Sequence, residues 1–386
     1  MRALGTGHSF SPIADTTGDL VSLAGLGNDM TIDAERAMVK VSAGATYREL
    51  TRYLHGAGYA LRNLGSLPHI SVAGACATGT HGGGDANGSL ATAVSGMDLV
   101  TADGDIVTIT RAGDRDEFSG AVVGLGALGI VISLWLDIVP AFDLRQYVYQ
   151  DLPWDQLERH LPEIFASGYS VSLFSTWRTR RIDQVWLKQR VTGSDPAGAA
   201  PVWFGARLAD GPRNPVPGQS AAPCTQQMGI PGPWHQRLPH FRPDHAPSAG
   251  QELQSEYLLP REHAVGVLQA IAEVSERVAA FLQVCEIRTI AADDLWLSPS
   301  YHRDTVAVHF TWIDDALAVA TALALVEDQL APFLPRPHWG KLFRIGPEVI
   351  AGRYDRLPDF RQLMRRYDPA GKFRNQMLDT YIPVRG

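Results

Sequence analysis

The stretch from Ser66 to Gly84 constrains this chain more than any other. It reads SLPHISVAG over Ser66–Gly74 and TGTHGGG over Thr78–Gly84, so small residues, hydroxyls and backbone N–H donors follow one another almost without interruption. Glycine has no Cβ, which lets the backbone approach a ligand closely and adopt positive φ. A pyrophosphate and a sugar need such a lining; a glycine-rich loop kept for packing is the alternative. A second cluster, Gly5-Thr6-Gly7-His8-Ser9, again offers amides to an anion. Alone it is a weak signal, and a surface turn is the readier reading. It is not the nicotinamide dinucleotide fingerprint, because GxGxxG fails at Phe10. A nicotinamide Rossmann site is therefore disfavoured.

Around these clusters strands and helices alternate. Met38-Val39-Lys40-Val41 is β-like, and Thr46 to Gly56 shows helical spacing through Tyr47, Leu50 and Leu54. Two β-rich runs within Met97–Thr110 flank Asp103-Gly104, a dipeptide suited to a tight hairpin turn. After GLGALG at Gly124–Gly129, the run Ile130–Ile138 predicts another strand and Pro140 ends it. Residues Ser194 to Pro247 are rich in Pro and Gly and carry no periodic pattern, which predicts a long ordered excursion. Beyond it, Ala264–Leu282 and Ala316–Leu334 have helical periodicity and flank β-like Val284–Arg288 and Val306–Trp312. The fold class predicted is α+β.

At 386 residues the chain exceeds what one hydrophobic core usually supports, so two domains are expected. A content of 45% apolar and 19% charged residues belongs to a folded globular protein. The net charge of -7, with Lys and Arg scattered among acids, supplies no basic stripe and argues against a nucleic-acid partner. Met1 to Phe10 contains no signal-peptide h-region, and no uninterrupted apolar run of about 18 residues appears, so no membrane partner and a cytoplasmic location are expected. Cys76, Cys224 and Cys285 are isolated and predict buried free thiols, with neither a disulfide framework nor a metal site. No solenoid-period repeat is visible.

Taken in order, GTGHSF at Gly5–Phe10, SLPHISVAGACATGTHG at Ser66–Gly82, GALGIV at Gly126–Val131, and the later SEYL, CEIRT, HFTW, HWGK and DPAGKF resemble the covalent-FAD oxidases of the vanillyl-alcohol oxidase superfamily. CEIRT and HWGK are most similar to its alditol (xylitol) oxidase branch. The resemblance implies a two-domain PCMH-type FAD-binding fold: residues 1–139 as FAD-binding domain, 140–341 as substrate domain on an antiparallel sheet with flanking helices, and 342–386 returning to the FAD domain. It implies FAD bound by Ala3, Leu4, Gly5, Thr6, Gly7, His8, Ser9, Ser66, Ser71, Gly74, Thr78, Gly79, Thr80, His81 and Val131. His8 would be bonded to the flavin 8α-methyl carbon, as a single histidyl link.

Glu286 and Arg288 alternate to one face of a β-like segment, where carboxylate and guanidinium can both reach a polyol's hydroxyls; a surface ion pair has the same pattern. By resemblance, Ser66, Glu286, Arg288, Thr311 and Lys341 bind the polyol, and His309 lies near the reacting carbon. Glu286, Arg288, His309 and Lys341 form the implied catalytic set, with the base left open between His309 and Glu286. Gly65 would leave an oxygen path to the flavin open, and His338 is expected to be structural. The activity implied is oxidation of a terminal CH-OH of an alditol by hydride transfer to flavin N5, with O2 reduced to hydrogen peroxide, by a monomer. An aldonolactone oxidase of the same superfamily is the nearest alternative, and a flavin-less polyol-binding protein a more distant one. The resemblance also leads one to expect a strand–helix–strand portion ahead of the pyrophosphate loop, whereas Met1 here lies seven residues before His8.

Overall fold

A computed structural model describes residues 1–192, 198–244 and 252–384. Parts of the Ser194–Pro247 excursion therefore lie outside the described residues. The rest of it is ordered, with short strands Val202–Trp203, Ala206–Leu208 and Gly232–Pro233 pairing into a larger sheet.

The N-terminal part forms a five-stranded antiparallel sheet, in the order Met30–Asp33, Met38–Ser42, Ile130–Asp137, Val94–Val100, Ile106–Thr110. Alternation decides its faces. Val39 and Val41 are fully buried, while Lys40 between them points outward to Asp98, 2.9 Å away. The hairpin expected at Asp103-Gly104 is present, with Gly104 at φ +92° and Val100 opposite Ile106. The helix Tyr47–Gly56 begins with a capping box in which Thr46 Oγ1 accepts from Glu49 N–H and Glu49 Oε2 accepts from Thr46 N–H. Its apolar stripe places Leu50 and Leu54 in the core.

From Asp143 to Pro337 a ten-stranded antiparallel sheet takes over. Its centre is Ser170–Ser175, Leu282–Ile290, Thr305–Ile313 and Glu252–Pro260. Cys285, Ile287, Val308, Phe310 and Tyr257 share one face, buried beneath the helices Trp154–Ala166, Ala264–Val278 and Ala316–Leu330. The residues between them face the other way, and several are polar. Among the described residues one stretch, Ala316–Phe333, is long and apolar enough to cross a membrane by length and composition; here it buries Val319, Leu323 and Val326 in the second core.

The chain's end returns to the first core, where Ile350, Phe360, Met364, Met377 and Leu378 pack with the N-terminal sheet residues. Buried Arg2 ties the parts together. Its NH1 donates to the Gly126 and Phe373 carbonyls, both at 2.8 Å, and its NH2 to those of Ile13 and Leu125 at 2.5 and 2.6 Å.

One expectation needs correction. Gly82, Gly83 and Gly84, read as part of a ligand lining, are packing glycines. A Cβ on Gly82 would lie 2.2 Å from the Leu64 carbonyl oxygen, and one on Gly84 2.3 Å from that of Tyr169. Gly84 N–H donates to Thr289 O, and Asn87 Nδ2 bridges the Gly83 and Tyr169 carbonyls. The run sews the first part of the chain onto the Leu282–Ile290 strand, which brings the polar face of the large sheet towards the glycine-rich loops.

Candidate active site

A single continuous cavity of about 840 Å3 runs from the Gly5–Ser9 loop to the polar face of the large sheet. That volume is at the upper end of the range for ligand clefts. Ala3 to Ser9, Gly65, Ser66, Ser71, Gly74, Thr78, Thr80, His81 and Val131 line it, together with Glu286, Arg288, His309, Thr311, Lys341 and His338. Gly79 does not. At φ +69°, with Pro299 Cδ 3.1 Å from where its Cβ would stand, it is a turn glycine.

The cofactor end is a cradle of close backbone approach. A Cβ at Gly5 or Gly74 would fall 2.5 or 2.7 Å from Ser71 Oγ. Thr6 Oγ1 accepts from Ser71 N–H and so ties the two glycine-rich elements to each other. Among the described residues, no protein acceptor meets the amides of Thr6, Gly7, His8 and Ser9. Successive free amides on a glycine loop suit a pyrophosphate, so the residues present fit FAD. The loop is also tied to the substrate end, because Phe10 N–H and Ser11 N–H both donate to Gly340 O. His8 thereby lies near Lys341. Burial, and then the Lys341 charge, lower the His8 pKa and favour the neutral ring.

Strand register builds the other end. Phe174, Glu286, His309 and Glu256 are direct cross-strand neighbours on one rung, and Val284, Thr311 and Gln254 form the next. Ala307 stands opposite Arg288 and leaves room for the guanidinium. Sequence reasoning missed Glu256, which is 1% exposed and holds the cluster together. Lys341 Nζ donates to its Oε2 at 2.6 Å, Arg288 NH2 donates to its Oε1 at 3.1 Å, and His81 Nε2 lies 3.2 Å from Oε1. Burial alone would raise the Glu256 carboxyl; Lys341 above all, then His81, hold it well below the usual carboxylate range. Its only signal in the sequence was an acid opening the apolar run Tyr257-Leu258-Leu259 inside the quoted SEYL.

Lys341 Nζ also donates to His309 Nδ1 at 2.5 Å, which puts the His309 proton on Nε2, 3.1 Å from Thr311 Oγ1. Burial first, and then Lys341, lower His309, so the ring is neutral. Arg288 NH1 donates to Ser66 Oγ at 3.3 Å, and its Nε lies 3.4 Å from Glu286 Oε1. Burial would raise Glu286; Arg288 and then His240 outweigh it and keep the group ionised. Two carboxylates thus face two cations in a buried site, the pairing that makes burial of charge tolerable. His240 was also missed, since it lies in the aperiodic excursion. His338 is buried, and its Nδ1 accepts from Gly340 N–H, closing the turn that carries Lys341.

Comparison with known proteins agrees with this geometry. A family model described as "FAD binding domain" matches residues 1–110, and one described as "D-arabinono-1,4-lactone oxidase" matches residues 250–381. The chain is 50% identical to an alditol oxidase of Streptomyces sp. (strain IKD472 / FERM P-14339) over 96% of its own length and 88% of that protein's. An L-gulono-1,4-lactone dehydrogenase of Mycobacterium tuberculosis (strain CDC 1551 / Oshkosh) is 28% identical over 97% of this chain and 88% of that protein. The cholesterol oxidase of B. sterolicum superposes with a TM-score of 0.76 at 16% identity, over 99% of this chain and 89% of that one, and shares the fold. With half its residues shared along nearly the whole of both chains, this protein belongs to the alditol oxidase family of PCMH-type FAD flavoproteins.

Proposed function

We propose that the protein is an FAD-dependent oxidase of alditols, with residues 1–139 and 342–386 holding the cofactor and 140–341 supplying the substrate face. The observation that carries this reading is the rung of Glu286, His309 and Glu256 with Arg288, Lys341 and Thr311 beside it, buried or, for His309 and Lys341, largely so, and open to one cavity with the amide-lined loop. A polyol presents a row of hydroxyls, each both donor and acceptor, and only a wall alternating donors and acceptors satisfies them without leaving buried polar groups unpaired.

FAD, when bound, supplies the two-electron acceptor for the alcohol carbon and the path of those electrons to O2. The protein supplies position, charge and a place for the proton. Two of the three Lys341 protons are engaged by Glu256 and His309; the third is the donor for the reacting oxygen, where the ammonium stabilises developing alkoxide charge. Ionised Glu286 keeps Oε2 for a substrate hydroxyl, while Arg288 and Ser66 fix the next one. Two groups at the rung can take the hydroxyl proton, Glu286 through Oε2 and His309 through Nδ1 when Lys341 releases it. His8, neutral and at the cavity wall, is the tether to the flavin, and Gly65 is the gap through which O2 approaches.

Purified protein assayed for peroxide with xylitol, sorbitol, glycerol and L-gulono-1,4-lactone tests the substrate class, and turnover of the alditols is expected. Preferential turnover of the lactone would establish the second reading, which the family model over residues 250–381 favours. Acid precipitation tests the tether, with yellow colour expected in the pellet; colour in the supernatant would overturn it. A colourless native protein would leave only the polyol-binding reading.

A further inference from the structure

Glu286 is also reached by a second line of buried polar groups that takes no part in the steps above. Its Oε1 lies 2.7 Å from His240 Nε2, and His240 Nδ1 lies 3.1 Å from Lys188 Nζ. Lys188 is 1% exposed and His240 4%. Neither is an accident of packing. Lys188 sits in the Arg181–Arg190 strand with Trp186 two residues along on the same face, and the excursion folds over both. His240 is held edge-on against Trp186 and Phe174, with ring centroids 5.2 and 5.5 Å apart.

The chemistry of these groups allows one arrangement of protons. Burial lowers Lys188 to about 7, and as ammonium or amine its Nζ has an N–H for His240 Nδ1; the three donors of the ammonium match three acceptors, the Leu238 carbonyl, the Pro239 carbonyl at 3.3 Å and His240 Nδ1. A carboxylate only accepts, so the ring nitrogen facing Glu286 must carry hydrogen. Burial, and then Lys188, push His240 down to about 4, which keeps the ring neutral with a single proton. Lys188 therefore donates to Nδ1 and Nε2–H donates to Glu286.

We propose that Lys188 and His240 are positioning residues for Glu286: Lys188 locks the His240 proton onto Nε2, and that proton pins Oε1 so that Oε2 is presented to the polyol. The proposal rests on Glu286 being a polyol contact. Without the pin, Arg288 Nε, 3.4 Å from the same oxygen, is the remaining partner, and the carboxylate is free to turn. The logic is that of a histidine whose tautomer is set by a group behind it.

Two isosteres separate positioning from packing. In His240→Gln the amide nitrogen stands near the Nε2 position and still donates to Glu286. In His240→Asn the amide reaches only towards Lys188. With flavin-loaded enzyme and xylitol, His240→Gln is expected to keep KM within about threefold of the parent. His240→Asn and Lys188→Met are expected to raise KM by about tenfold or more, with kcat changed less. Equal KM values for Gln and Asn, or an unchanged KM in Lys188→Met, would overturn the proposal. A substrate-independent arm is the His240 ring tautomer by 15N NMR of histidine-labelled holoenzyme, assigned by difference against His240→Gln. Nε2–H with a bare Nδ1 is expected in the parent protein, and in Lys188→Met Nδ1 should also take up a proton at higher pH than in the parent, because the cation that, after burial, lowers the ring is gone; Nδ1–H in the parent would refute the relay. A parent enzyme inactive on every alditol but showing Nε2–H would instead refute the polyol reading of Glu286 and leave the relay standing.

Discussion

Glu256→Gln changes few atoms and tests how the whole site is held. Glu256 Oε1 accepts from Arg288 and Oε2 from Lys341. A glutamine has one oxygen and one NH2, so either orientation sets a donor against a cation and strips the charge that compensates both. Removing one partner of a buried ion pair costs about 3–5 kcal/mol. Spread over 386 residues at an unfolding entropy of about 2.1 cal/mol/K per residue, that lowers the melting midpoint by about 4–6 °C. Lys341, already lowered by burial with Glu256 opposing, then loses its proton more readily, and kcat/KM for the alditol falls about a hundredfold or more as the donor to the reacting oxygen goes. Because the folded pKa of Glu256 is depressed, its contribution to stability is full above the unfolded carboxylate value near about 4.3 and disappears only as pH falls through the lower folded value. The carboxylate's part of the deficit should thus shrink as pH falls through the acid range. Calorimetry and steady-state peroxide kinetics on flavin-loaded protein check both parts. A midpoint within a degree of the parent with KM unchanged would refute the claim that Glu256 carries the two cations.

Three further outcomes are expected. His8→Ala should still bind FAD but release all of it on acid precipitation, and its flavin should accept electrons more slowly; colour retained in the pellet would place the tether elsewhere. Gly65→Ala adds a methyl whose nearest atoms are 3.7–3.8 Å away, ordinary contact distances, so folding and flavin reduction should be unchanged while stopped-flow reoxidation by O2 slows; an unchanged oxygen rate sinks the gate. Arg2→Met leaves the carbonyls of Leu125, Gly126 and Phe373 without a donor, Ile13 O keeping Asn375 Nδ2, and should cost at least about 3 kcal/mol in denaturant unfolding; a loss under about 1 kcal/mol would show that water replaces the guanidinium.

The sequence by itself determined the elements and the chemistry they carry. Periodicity located the Tyr47–Gly56 helix, the hairpin at Gly104 and the paired strands around Glu286 and His309, because burial of one face writes a period of 3.6 or 2 into the residues. Alternation likewise put Glu286 with Arg288 on a common face. The resemblance carried by the ordered motifs added what spacing does not reveal: that Lys341 and His8, 333 residues apart, serve one cavity.

Only the tertiary structure decided the rest. Glu256 became the hub because strand register set it opposite His309, and register between strands about fifty residues apart is fixed by packing of both faces rather than by either strand's own pattern. His240 and Lys188 carry no local signal, since one lies in an aperiodic excursion and the other reads as an ordinary strand lysine until the excursion covers it. Gly82 to Gly84, legible only as glycines, proved to be where two parts of the chain touch, because a missing Cβ looks the same in sequence whether a ligand or another backbone takes its place.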